Sequence, residues 1–381
     1  MKILILASNL SNEAGGYSES SFLLRENLSK IKKNKVFLLG YWVSKIYEFQ
    51  YKITEKINLF SPDFSIIKFH FSFSILKKIK KIQPDVIDIQ GLWSSSSIIN
   101  QIYQLIRPTP YIITPRGMLE NWALKKSYWK KKLFYYLFEK WHIKNAACLR
   151  ATSLNEARQF RRLGFKNLIV SIPNFIKIPK ENKNLKKKNK YKLLFLSRLD
   201  KKKGLDELLH AWKYIENKFP DWELVIAGYS NDTQYLNKLK EIERKLNIKN
   251  VKWHGFYFGK KKNELYQSAD LFILLSHSEN FGLVIAEALS NSLPVITTNN
   301  TPWKDLNKKG CGWCIQLKRK KIINTLTSAM SLDAGKRYRM GKKGREWIIK
   351  NFSEKSVRLS LHKLYSSIAN KRQIKENQTI N

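Results

Sequence analysis

Lys192-Leu193-Leu194-Phe195-Leu196 is a short, mostly apolar run that leads into Ser197-Arg198-Leu199-Asp200-Lys201-Lys202-Lys203-Gly204 and then into apolar positions at Leu205, Leu208, Leu209 and Trp212. The three parts read as a buried strand, a polar loop and a helix with one apolar face. The chain opens in the same manner. Ile3-Leu4-Ile5-Leu6-Ala7 is followed by Ser11-Asn12-Glu13-Ala14-Gly15-Gly16 and an amphipathic stretch around 19–32. Continuous apolar runs at 36–39, 86–89, 111–114, 223–227, 270–275 and 294–298 continue the alternation. Such runs are expected where helices cover both faces of a parallel sheet. Between the halves, the Lys/Asn-rich stretch 177–188 has no apolar period and reads as a linker. The expectation is an α/β protein of two doubly wound domains, with ligand bound at the carboxyl ends of the strands. Its parts fall at 1–176, a basic linker at 177–190, 191–350, and 351–381, the last a helix returning toward the first domain plus a polar tail.

Composition bounds the function. In 381 residues, 43% are hydrophobic and 13% aromatic, enough for packed cores and against a disordered tail protein. Lys and Arg number 71 against 30 Asp and Glu, a formal charge of +41. That excess attracts anions, whether nucleic acid, an anionic bilayer face or phosphorylated substrates, and does not choose among them. Three cysteines make no disulfide framework and suit a reducing compartment. Residues 1–7 read as a first strand and not as a signal peptide. No run approaches the ~20 apolar residues of a spanning helix. The expected location is cytoplasmic, with attachment to the inner membrane face left open.

The candidate chemistry centres on Ser276-His277-Ser278-Glu279-Asn280-Phe281-Gly282-Leu283-Val284-Ile285-Ala286-Glu287. On one continuous helix, carboxylates eight residues apart would differ by about 80°. With Glu279 in the loop and Glu287 in the helix, both can point into one crevice. The amides of Asn280, Phe281 and Gly282 would lie at a helix N-terminus, where anions bind. Taken alone, the spacing is common and favours a capping Glu279 and a solvated Glu287. A second strand–loop–helix junction offers Arg198 and Lys203 as a diphosphate clamp, though a cationic loop is ordinary in so basic a chain. The sequence has no Asp-x-Asp pair, and its histidines lack metal-ligand spacing, so no metal is expected.

These residues resemble the retaining glycosyltransferases of family 4, which have the GT-B fold of two facing Rossmann-like domains. Further points of likeness are Gly15-Gly16, Gln90-Gly91-Leu92-Trp93, Thr114-Pro115-Arg116-Gly117-Met118-Leu119, Ile172-Pro173-Asn174, Leu224-Val225-Ile226-Ala227-Gly228 and Asn351-Phe352-Ser353. The resemblance implies that Glu287 accepts hydrogen bonds from the nucleotide ribose. It implies that Glu279 contacts the donor sugar, with the amides of Asn280, Phe281, Gly282 and Leu283 nearby. Arg198 and Lys203 would clamp the diphosphate, and Gly16 would approach donor phosphate or acceptor. Glu279 and Arg116 are thus the catalytic candidates, Arg116 as an acceptor or phosphate contact where many relatives carry His. The implied activity is transfer from a UDP- or GDP-linked sugar, with no other cofactor, to a bacterial surface polysaccharide or lipid-linked saccharide. Phe175 stands where Gly is frequent, which leaves the loop after Pro173-Asn174 open in shape.

Cys311-Gly312-Trp313-Cys314 has redox spacing, but its flanks read as a loop feeding a strand, which favours packing thiols. Ser94–97 reads as a helix-capping loop. The stretch 122–141 interleaves Lys125, Lys126, Lys130, Lys131 and Lys132 with aromatics. It fits either a helix with a solvated Lys face or a membrane-surface helix. The competing functions are a sugar-nucleotide epimerase of the same architecture and a basic nucleic-acid-binding protein, the latter motivated by charge alone.

Overall fold

The structure, a computed structural model, describes residues 1–11, 14–42, 56–60, 64–66, 69–125, 128–181 and 190–370. Two compact units emerge, one from the described residues of Met1–Phe175 and Glu354–Asn381, the other Ile176–Ser353. Expectations at Asn12, Glu13, Lys126, most of the linker (182–189) and the tail from 371 lie outside the described residues.

The first unit holds β1 (Lys2–Ala7), β2 (Lys35–Tyr41), β3 (Ile57–Phe60), a small hairpin of β4 (Phe64–Ile66) and β5 (Phe69–Phe71), β6 (Val86–Gln90), β7 (Tyr111–Thr114), β8 (Cys148–Ala151) and β9 (Ile169–Ser171). Its main sheet runs β3-β2-β1-β6-β7-β8-β9, with β1 parallel to both neighbours. β1 alternates between two cores. Ile3, Ile5 and Ala7 enter one, Leu4 and Leu6 the other, and this is why its sequence is apolar throughout. The helix Glu354–Ala369 completes the first of these cores with Val357, Leu361, Leu364, Tyr365 and Ile368.

The second unit holds β10 (Tyr191–Leu196), β11 (Trp222–Ala227), β12 (Val251–His254), β13 (Leu271–Leu274), β14 (Val295–Thr298) and β15 (Gly312–Ile315). The order is β12-β11-β10-β13-β14-β15, and every pairing is parallel. The order reverses at β10, so the loops after β10 and β13 leave adjacent strands, where open α/β sheets bind ligands. The chain enters this unit beside the point where it leaves. Ile176 bridges Ser353, and its N–H donates to Phe352 O at 3.0 Å.

The first helix spans Gly16–Ser29, three residues ahead of the expected stretch, because Gly15 at φ 57° starts it early. The unexpected strands are short. β8 carries Arg150 in its buried run, and the edge strand β12 carries Lys252 and His254. Both therefore lack the uninterrupted apolar run that marks a central strand.

Candidate functional site

In the second unit the loops after β10 and β13 are fastened together. Asp200 caps the turn Lys201–Lys203 by accepting from the Lys202 N–H at 2.9 Å. Gly204 then adopts φ 65° ahead of the helix Leu205–Ile215. A Cβ on Gly204 would meet Leu275 O at 2.2 Å, so only glycine permits this approach. The next contact, His277 N–H to Lys202 O at 2.8 Å, locks the two loops in register.

The result is a shielded ion pair. Lys203 Nζ donates to Glu279 Oε2 at 2.6 Å, and Ser276 Oγ lies 3.3 Å from the same oxygen. The two side chains keep only 11% and 13% of their exposure, so screening by water is weak. Burial alone would raise the Glu279 carboxyl, but the Lys203 and Lys202 charges and the Lys203 hydrogen bond outweigh it. The group is held below the usual glutamate range.

Glu279 precedes the helix Leu283–Ser290, whose cap position is Gly282 at φ 74°. The cap is wedged, since a Cβ there would lie 3.1–3.2 Å from Glu279 Cγ, Ile285 Cδ1 and Trp303 Nε1. Phe281 is buried, and its carbonyl accepts from Trp303 Nε1 at 2.6 Å. This fixes the chain from Asn280 to Leu283. The first N–H groups of the helix have no acceptor within it and carry the positive end of its dipole. Further along the same helix, Glu287 accepts from Lys262 Nζ at 2.7 Å and from Tyr266 Oη at 2.8 Å.

Lys203 and Glu279 are therefore in contact, and Glu287 lies on the helix that follows. Arg198 is not part of this cluster. Its side chain is exposed and hydrogen-bonds to no described residue, while its carbonyl accepts from the Asp200 N–H at 3.0 Å. Lys262 and Tyr266, on the helix Gly259–Ser268, were not anticipated. Their i, i+4 spacing was the available signal, but nothing in the sequence ties that face to Glu287.

In the first unit, Gly16 begins the helix after β1, and Arg116 follows β7. Arg116 sits at φ 55° with Gly117 at 79°, while Gly91 and Trp93 after the adjacent β6 are at 84° and 56°. Positive φ at non-glycine residues costs conformational energy and gathers at functional loops. Arg116 Nε donates to Gln90 Oε1 at 2.7 Å, and Nη1 donates to Ser20 Oγ at 2.6 Å and Asn174 Oδ1 at 3.2 Å.

No described group of three or more His, Cys, Asp or Glu could hold a metal ion. Cys311 and Cys314 are free, and Cys314 lies in β15. Burial pushes the Cys311 thiol up to about 12, as suits a packing residue. No described helix is long and apolar enough to cross a membrane.

Comparison with known proteins adds family and fold. Residues 177–347 match the family described as "Glycosyl transferases group 1", and residues 66–174 match the "Glycosyl transferase 4-like domain". An uncharacterised glycosyltransferase of Haemophilus influenzae is 27% identical over 66% of this chain and 69% of its own. An uncharacterised protein from the cps region of Klebsiella pneumoniae is 27% identical over 59% and 63%. The chain thus spans about two thirds of the length of these relatives. Among solved structures, sucrose-phosphate synthase of Thermosynechococcus elongatus superposes with a TM-score of 0.79 at 17% identity, covering 97% of this chain and 100% of that one. HepE of Anabaena, solved with UDP and glucose, gives 0.75 at 17%, covering 96% and 100%. At such identity the structural likeness speaks for the fold.

Proposed function

Because the chain belongs to the group 1 glycosyl transferases, we propose that it moves a sugar from a UDP- or GDP-linked donor to a growing bacterial surface polysaccharide or its lipid-linked precursor, retaining the anomeric configuration and using no metal. The observation that carries this reading is the shielded Lys203–Glu279 pair beside the N-terminus of the helix that bears Glu287. Diphosphate oxygens would take the Lys203 ammonium and the helix N–H groups, both fixed before the donor arrives. Glu279, ionised and held by Ser276, would accept from a hydroxyl of the donor sugar. Glu287 would accept from the ribose hydroxyls, with Lys262 and Tyr266 holding its carboxylate. Arg198, exposed in the free protein, would close on the diphosphate as its second cation. Glu279 being engaged by Lys203, the departing diphosphate would take the acceptor's proton as the acceptor attacks from the same face.

The donor class is supported by HepE, which was solved with UDP and glucose, and the acceptor class by the relative from a cps region. Melting curves with UDP-glucose, UDP-N-acetylglucosamine and GDP-mannose test the donor. A cognate donor at a hundred times its Kd raises the melting temperature by roughly 5–10 °C. Indifference to all three, with and without EDTA, removes the reading. An acceptor-independent change of the donor sugar would instead favour an epimerase.

Attachment to a membrane surface is supported by the region Asn121–Lys144. Its helix Tyr128–Phe134 and π-turn Tyr135–Glu139 are anchored inward. Buried Glu139 accepts from the Trp93 N–H at 2.7 Å and Ser97 Oγ at 2.5 Å. Outward, Trp129, Leu133, Tyr136, Leu137 and Trp141 are exposed by 50–76%. Lys132 and Lys140 stand 5.3 and 5.7 Å from the ring centres of Trp129 and Tyr136. Aromatic rings edged by lysines suit the headgroup level of an anionic bilayer. In flotation with phosphatidylglycerol vesicles the protein is expected to rise, and the double variant Trp129→Ser/Trp141→Ser to stay below. Equal flotation of the two would count against it.

A further inference from the structure

Besides Nε of Arg25 and of Arg358, three buried side-chain nitrogens described in the first unit have no acceptor: Nη2 of Arg116, Nη1 of Arg150 and Nε2 of Gln90. Gln90 is fully buried and Arg150 is 1% exposed. The three gather around one segment. Arg150 Nε and Nη2 donate to the carbonyls of Ile172 and Pro173 at 3.2 and 3.0 Å. Arg116 reaches the next residue, Asn174, and is joined to Gln90 through Nε.

Among the described residues, every hydrogen bond of the two guanidiniums goes to an uncharged oxygen. The neighbouring carboxylates are committed elsewhere. Asp88 accepts from Thr114 Oγ1 at 2.9 Å and Tyr365 Oη at 2.5 Å. Glu156 accepts from the N–H groups of Gly117 and Thr152 at 2.6 and 2.7 Å. Burial, and next the charge of Arg150, push the Arg116 guanidinium down to about 10, as two like charges brought out of water require. Such groups are stable where an acceptor completes them.

We propose that Arg116, Arg150 and Gln90 form an oxyanion site that takes a phosphoryl or carboxylate group. Two planar forks and an amide offer N–H donors to the oxygens of one such group. Of the three, Arg116 alone keeps partial exposure, so the anion enters along it. The site deepens the acceptor side of the function given above and rests on it only for the molecule that bears the anion.

The test uses the full chain carrying Arg198→Ala and Lys203→Ala, which removes the cations of the donor reading. Inorganic phosphate and acetate are titrated against chloride at equal ionic strength while melting is followed. Phosphate or acetate is expected to raise the melting temperature by about 3 °C or more beyond chloride at ten times its Kd. Whichever acts names the group as phosphoryl or carboxylate. Adding Arg150→Gln is expected to abolish that response. Gln90→Glu supplies a carboxylate to Arg116 from within, so it should raise the melting temperature without added anion and also abolish the response. If the three anions act alike, or if the response survives Gln90→Glu, the site is wrong and internal water satisfies the donors. Because both cations of the donor reading are absent, a failure here leaves that reading untouched.

Discussion

Glu279→Gln is expected to lower kcat/KM for sugar transfer by a factor on the order of 10² to 10³, comparable to removing one preorganised group from an oxyanion hole. The amide keeps the shape and the contact with Ser276 but removes the charge that faces Lys203 at 2.6 Å. Two things then change together. The acceptor for the sugar hydroxyl weakens, and Lys203 is no longer held in place before the diphosphate arrives. Because the Glu279 carboxyl is held below its ordinary range, the wild-type pair contributes stability above that range. The contribution is lost as pH falls through the folded value. The variant lacks this acid-sensitive part, so its melting temperature should vary less between pH 3 and 5 than that of the wild type. A rate within threefold of wild type at pH 7.5 would remove Glu279 from the chemistry. A variant that is equally slow but has also lost donor binding would shift its role from transfer to holding the diphosphate.

The largest expected effect on stability comes from Gly341→Ala. Gly341 lies inside the helix Ala334–Phe352, where alanine ordinarily stabilises by roughly 0.5–1 kcal/mol. Here a Cβ would stand 1.7 Å from Ser292 O and 2.4 Å from its carbonyl carbon. Backbone cannot swing aside as a side-chain tip can, so the helix must shift. At Gly344, about one turn on, a Cβ would instead meet a side-chain tip, Leu289 Cδ2 at 2.7 Å. Overpacking of this kind costs about 1–3 kcal/mol, or about 2–4 °C of melting temperature per kcal/mol in a domain of this size. Gly335→Ala in the same helix is the control. Its Cβ meets only side-chain ends, Asp333 Oδ1 at 3.2 Å and Arg339 Nη1 at 3.5 Å, and it should be neutral or stabilising. If both substitutions moved the melting point alike, the contact with Ser292 would not matter. It bears on function because Ser292 closes the turn after the helix that carries Glu287.

The elements most legible in the sequence were those packed on two sides. The runs at β1, β6, β7, β10 and β11 are apolar because helices cover both faces, and their bounds were read to within about a residue. Edge strands escaped because they are short, Ile57–Phe60 and Ile169–Ser171 among them, and Val251-Lys252-Trp253-His254 also mixes charge with apolar residues. At the site, Lys203 and Glu279 were legible because each sits in a strand–loop–helix junction. Their contact was not, since it depends on β10 and β13 being neighbours. Lys262, Tyr266 and Arg150 were invisible for the same reason. A lysine on a helix or an arginine in a short strand says nothing until the partner it faces is known.

The first core is closed by Val357, Leu361, Leu364, Tyr365 and Ile368, from the last described helix of the chain. A ribosome making this protein therefore finishes the whole 176–353 unit before it releases the residues that cover Ile3, Ile5 and Val86. Until then Asp88 waits without the hydroxyl of Tyr365. The lobe translated first is the lobe completed last, and any premature stop ahead of residue 354 leaves its oldest strands open to solvent.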